Sequence, residues 1–128
     1  MIKQQVYQTY KEQSVMTMTP AEMLTMLYDG ILKELSLAKI ADASTPKDIP
    51  TVNKSLQKAH RILLHLKNSL DMNYDIAIQL YSLYDYFDWV VTQANMKKDM
   101  SGLDEVMDYI GQLRESYIEA DRKVRMHA

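Results

Sequence analysis

Cysteine is absent from this chain, which removes disulfides, thiol nucleophiles and thiolate metal sites together. Glycine and proline are scarce, at three each in 128 residues. So little turn material predicts few, long elements. One Phe and one Trp accompany nine Tyr, and most other strand-preferring types are sparse, so the expected class is all-helical. Neither sign of charge dominates: 15 basic residues face 17 acidic ones. That balance argues against a nucleic-acid partner held by phosphate neutralisation. No apolar run approaches the roughly 18 residues of a membrane span. The opening Met1-Ile2-Lys3-Gln4-Gln5 lacks the apolar stretch of a secretory signal. The expectation is a cytosolic protein, or one exported without a cleavable signal.

What remains is ordinary globular material, 47% apolar and 25% charged, long enough for one domain with a real core. Ten methionines are many, and five fall in the first 26 residues (Met1, Met16, Met18, Met23 and Met26). They suit helical core filling, or an adaptable surface for a partner. Residues 1–18 hold no sustained period and read as a leader. Its Tyr7 and Tyr10 would share one side of a helical turn, so the leader is either disordered or docks by its tyrosines.

Residues 19–128 read as a four-helix body. Thr19 and Glu22 form a capping box with Pro20 at the first helical position. Helix 1, over 20–41, has the seam Leu24, Tyr28, Ile31, Leu35, Ala38, with Gly30 in its middle. Residues 42–50 are the clearest loop. Helix 2, over 51–70, has Val52, Leu56, Ala59, Leu63, Leu66 and Leu70. Helix 3, over 74–98, is expected to use Ile76, Leu80, Leu83, Phe87, Val90 and Ala94. A second stripe of Ala77, Tyr81, Tyr84 and Val91 runs beside it. Helix 4, over 102–126, follows a Ser101 cap with Leu103, Val106, Ile110, Leu113, Tyr117, Ala120 and Val124. Steps of four and three are the spacing of a bundle seam. Short connections make an antiparallel up-down four-helix bundle the economical arrangement.

The residues offer no chemistry. A di-iron bundle needs Glu-x-x-His on two helices, whereas Gln57, Ile62 and Val124 stand three before His60, His65 and His127. No metal, cofactor or catalytic residue is expected. Asp71 and Asp75 read as helix-start partners. Asp85 and Asp88 read as a solvated or partner-facing side. The apolar surplus on helix 3 instead suits a groove that takes a helix. A generic helical adaptor or a homodimeric bundle would use the same surface, and the residues alone leave that choice open.

Three stretches then resemble the flagellar export chaperone FliS family. They are Tyr7-Gln8-Thr9-Tyr10, Thr19-Pro20-Ala21-Glu22-Met23-Leu24 and Met26-Leu27-Tyr28-Asp29-Gly30. Lys58-Ala59 with Ile62, Ile76-Ala77 with Leu80, Leu83-Tyr84-Asp85-Tyr86, Ala94-Asn95, Leu103 and Leu113-Arg114-Glu115 agree in order. Two places depart: Asp88-Trp89 stands where the family often has basic residues, and Tyr117 where it often has Trp. The resemblance implies a bacterial cytosolic chaperone that binds the disordered C-terminal segment of flagellin. It would prevent premature polymerisation and deliver flagellin to the type III export apparatus. Flagellar regulatory proteins are further expected partners, and the chain is expected to be a monomer or weak dimer. On this expectation Leu24, Leu27, Tyr28, Leu80, Leu83, Tyr84 and Phe87 wall the groove, and Tyr7 and Tyr10 hold a leader that acts as its lid.

Overall fold

In the computed structural model, residues 18–127 are described, and they form four helices: α1 (Pro20–Ala43), α2 (Ile49–Asn68), α3 (Asp75–Lys97) and α4 (Leu103–Met126). Tyr7, Tyr10 and the rest of the leader as far as residue 17 lie outside the described residues. The helices form an all-α, antiparallel bundle. α1 packs on α2 and α4, α2 packs on α3, and the α3–α4 pair is packed more sparsely than those three.

The helix ends follow from local chemistry. Thr19 is extended, and its hydroxyl accepts the Glu22 N–H at 3.1 Å, satisfying one of the unpaired donors of a first turn. α1 runs two residues past the expected end, to where the Ser44 hydroxyl donates to the Ala41 carbonyl at 2.7 Å. α2 starts two residues before the expected Thr51. Asp48 caps it, one oxygen accepting the Thr51 N–H at 3.2 Å and the other the Thr51 hydroxyl at 2.6 Å. Pro50 therefore sits inside the first turn, as Pro20 does in α1, where its missing N–H costs nothing. α3 ends on Lys98, left-handed at φ 53°, whose N–H returns to the Ala94 carbonyl.

The Ser101 cap is corrected. α4 begins behind Gly102 with no side-chain cap. Ser101 instead gives its N–H to Asp99 Oδ1 at 3.0 Å, so Asp99 organises the turn.

The core holds Tyr28, Ile31, Leu35 and Ala38 of α1, and Val52, Leu56, Ala59, Leu63 and Leu66 of α2. Leu103, Val106 and Ile110 of α4 complete it. In α3 the expected seam is wrong by about one residue at alternate positions. The buried stripe is Ala77, Leu80, Tyr84, Phe87, Val91, Ala94. Ile76 is 61% exposed, and Leu83 and Val90 are half-buried. In α4 the stripe stops early: Leu113 and Tyr117 are half-buried, while Ala120 and Val124 are exposed.

A Cβ at Gly30 would stand 3.1 Å from Ile62 Cδ1, so what Gly30 faces is the tip of an α2 side chain rather than another backbone.

Candidate binding surface

Polar rungs lock two of the seams. Between α1 and α4, Lys39 pairs with Asp104, Asp29 with Arg114 (2.5 Å) and Glu22 with Arg125 (2.7 Å). Between α2 and α3, Lys67 meets Asp85 at 2.8 Å, His60 Nδ1 meets Asp88 Oδ1 at 2.6 Å, and Asn95 donates to Asn53 at 3.0 Å. These pairs are largely exposed and contribute little stability, but they fix which residues stand opposite one another. The Arg125 guanidinium beside Glu22 holds its carboxyl below the usual range. Asp85 beside Lys67 pushes that ammonium up.

The α3–α4 seam is different. At the connection end the two helices are held together. Gly102 backs onto Val90, the Tyr86 hydroxyl donates to Glu105 at 3.0 Å, and the Phe87 and Tyr109 rings sit 5.8 Å apart. Antiparallel order then sets the first half of α3 against the second half of α4. There Ile76, Leu83, Leu113 and Tyr117 are only half-buried or exposed, with Ala120 and Val124 open beyond them. The result is an apolar furrow with no third helix over it among the described residues.

Of the seven groove candidates, Tyr28, Tyr84 and Phe87 are core, at 0–1% exposure, and Leu80 is at the core edge. Leu24, Leu27 and Leu83 are half-buried against that core. The structure thus joins Tyr28 to Tyr84 and gives three of the seven no reachable surface. The two tyrosines meet instead under the furrow, hydroxyl to hydroxyl at 2.5 Å, with the Tyr117 ring 6.2 Å from Tyr28. Burial pushes the Tyr84 hydroxyl up to about 12. Burial, then the bond to Tyr84, carries Tyr28 well above the usual phenol range. Burial also raises Tyr117.

Furrow residues that the groove set lacked are Ile76, Leu113 and Tyr117. Their helical spacing marked them as apolar but assigned them to the interior.

A second hollow, of about 440 Å³, lies between the start of α1 and the end of α4. Met18, Ala21, Thr25, Met26 and Ile118 line it, with Glu22, Asp29, Asp121 and Arg125 also on its walls. Among the described residues, no group of three or more His, Asp or Glu could hold a metal ion. No helix there is long and apolar enough to cross a membrane.

Four long helices with two polar-locked seams and one open apolar seam define a helical-bundle protein with an uncovered apolar face among the described residues. The sequence narrows that class. It matches the family model described as "Flagellar protein FliS" over residues 3–124. It is 36% identical over 125 residues to the flagellar secretion chaperone FliS of Bacillus subtilis (strain 168), spanning 95% of this chain and 92% of that protein. The flagellar secretion chaperone FliS of Vibrio cholerae is 33% identical over 116 residues, 86% of this chain and 84% of the relative. That of Salmonella typhimurium is 30% identical over 115 residues, 88% and 84%. The chain belongs to the FliS family.

Proposed function

We propose that this chain is a flagellin-specific export chaperone of the bacterial cytosol, with no enzymatic activity. It holds the C-terminal segment of flagellin, prevents premature polymerisation and hands the subunit to the export apparatus. Membership of a family of flagellar secretion chaperones supports this reading. The observation that carries it is the open seam between the first half of α3 and the second half of α4.

A segment that is disordered alone cannot bury enough apolar surface to offset its ordering entropy. Folding on a partner costs ~2–5 kcal/mol of the gross interaction, so the surface offered must be apolar and already formed. Ile76, Leu80, Leu83, Leu113 and Tyr117 would supply it, with Leu24 and Leu27 at its margin and Tyr28, Tyr84 and Phe87 as rigid support beneath. Residues 1–18 would serve as a lid placed by Tyr7 and Tyr10.

Titration calorimetry with a peptide of the flagellin C-terminal segment tests this. The parent protein should bind it, and Ile76→Gln, at an exposed position, should weaken binding without changing the helical signal. Deleting residues 1–15 should alter the affinity and leave the bundle folded. No binding, or an Ile76→Gln protein that binds like the parent, would overturn the reading.

A further inference from the structure

The chain's one tryptophan stands away from the open half of the furrow, at the α3–α4 connection, and is 60% exposed. Tyr86, one turn earlier on α3 and 41% exposed, stacks on it with ring centroids 6.5 Å apart and planes 23° from parallel. The stack is held in place. The Tyr86 hydroxyl donates to Glu105 Oε1 of α4 at 3.0 Å, and its ring leans on buried Phe87 at 6.2 Å.

Beside the stack lies a groove of about 260 Å³ that includes Val90 and Ala94. Its charged lining is Asp99 and Glu105 against the single ammonium of Lys97. The Asp99 carboxylate already accepts the Ser101 N–H. Glu105 pairs with no Lys, Arg or His among the described residues.

An aromatic face and a carboxylate together make a cation site, because the ring quadrupole and the charge attract the same ion. Among the described residues the fold uses this combination once within itself. Lys67 Nζ lies 5.4 Å from the Tyr81 ring centroid while bonded to Asp85 at 2.8 Å. At Trp89, Tyr86 and Glu105 the same two parts stand ready, with a larger and more exposed ring. Arginine fits them better than lysine, since a planar guanidinium stacks on an indole and still points N–H groups at a carboxylate.

We propose that Trp89, Tyr86 and Glu105 form a docking site for an arginine side chain of a partner protein. The guanidinium lies over the indole and donates to Glu105. The site is separate from the furrow, so it would admit a second partner while the furrow is filled.

The test uses the full chain and reads Trp89 emission directly, since no other tryptophan contributes. The probe is the peptide acetyl-Ala-Arg-Ala-Arg-Ala-amide. Its control carries citrulline for each arginine, which keeps the shape and removes the charge. The arginine peptide should give a saturable emission change in the millimolar range, and the citrulline peptide a response at least several-fold weaker. Glu105→Gln, at an exposed position with its fold checked by circular dichroism, should weaken the arginine peptide by roughly three- to ten-fold. Trp89→Leu, followed by calorimetry, should weaken it by a similar factor. Emission that does not move, equal responses to the two peptides, or a Glu105→Gln protein that binds like the parent would each overturn the proposal.

Discussion

The hydroxyl pair beneath the furrow gives the sharpest test of how the interior is built. Tyr28 and Tyr84 are 0% and 1% exposed, with their oxygens 2.5 Å apart. Replacing either by Phe removes one oxygen and leaves the other buried without its partner. An orphaned buried polar group costs about 1–3 kcal/mol, whereas removing both partners at constant shape is close to neutral. Tyr28→Phe and Tyr84→Phe should each destabilise by that amount. For a domain of this size, that is a loss of roughly 4–12 °C in Tm. The double variant should recover most of it, giving a coupling energy of about 2–6 kcal/mol in a double-mutant cycle, the summed cost of the two singles less the small cost of the double. Thermal melts by circular dichroism on the four proteins measure this. If the double variant falls by the sum of the two singles, the hydroxyls do not depend on one another, and the pair is not a mutually satisfied unit.

Three further outcomes follow from the same packing. The raised hydroxyls should make the fold alkali-sensitive: the unfolded chain loses its phenolic protons near the ordinary value of about 10, while folded Tyr84 keeps its proton up to about 12. Stability is then full below pH ~10 and falls as pH rises toward ~12; urea titrations across that window should show the loss, and Tyr28→Phe/Tyr84→Phe should blunt it. Leu63→Ala, at a position with 0% exposure, should cost about 2–5 kcal/mol, whereas Ile76→Ala, at 61% exposure, should stay within about 0.5 kcal/mol in urea unfolding. Gly30→Ala should raise Tm by a few degrees. Helix propensity favours Ala by about 1 kcal/mol, and the 3.1 Å neighbour is the terminal methyl of half-buried Ile62, which can turn aside; a fall in Tm would show that α2 holds that methyl fixed.

Much of the bundle was legible because α1 and α2 each carry one apolar stripe. α3 carries two that share Leu80, Phe87 and Ala94 and differ by one residue between, a turn of about 100° on a helix. Spacing alone cannot choose between Ile76, Leu83, Val90 and Ala77, Tyr84, Val91. The choice is made by Tyr28, which is 56 positions from Tyr84 and invisible to any local pattern. The early start of α2 is a smaller miss of a different kind. Asp48 and Pro50 carry the same cap-and-proline logic that located Thr19 and Pro20, but they stand inside a stretch whose composition reads as loop. The furrow escaped notice because a half-buried Tyr117 has the same spacing as a buried one. Only the sparse packing of α3 on α4 separates them.

The early end of the α4 core stripe has a kinetic consequence. Beyond Tyr117, the Ala120, Val124 and Met126 side chains are exposed. The Arg125–Glu22 pair ties these turns to α1. Such turns open locally at a small free-energy cost, while amides around Val106 and Ile110 exchange only when the whole domain unfolds. Hydrogen exchange should therefore run as a gradient along one continuous helix, and trypsin should cut at Arg122, Lys123 or Arg125 long before the bundle opens. A chain laid into the furrow would flatten that gradient, so the outer amides of α4 report occupancy from within the fold.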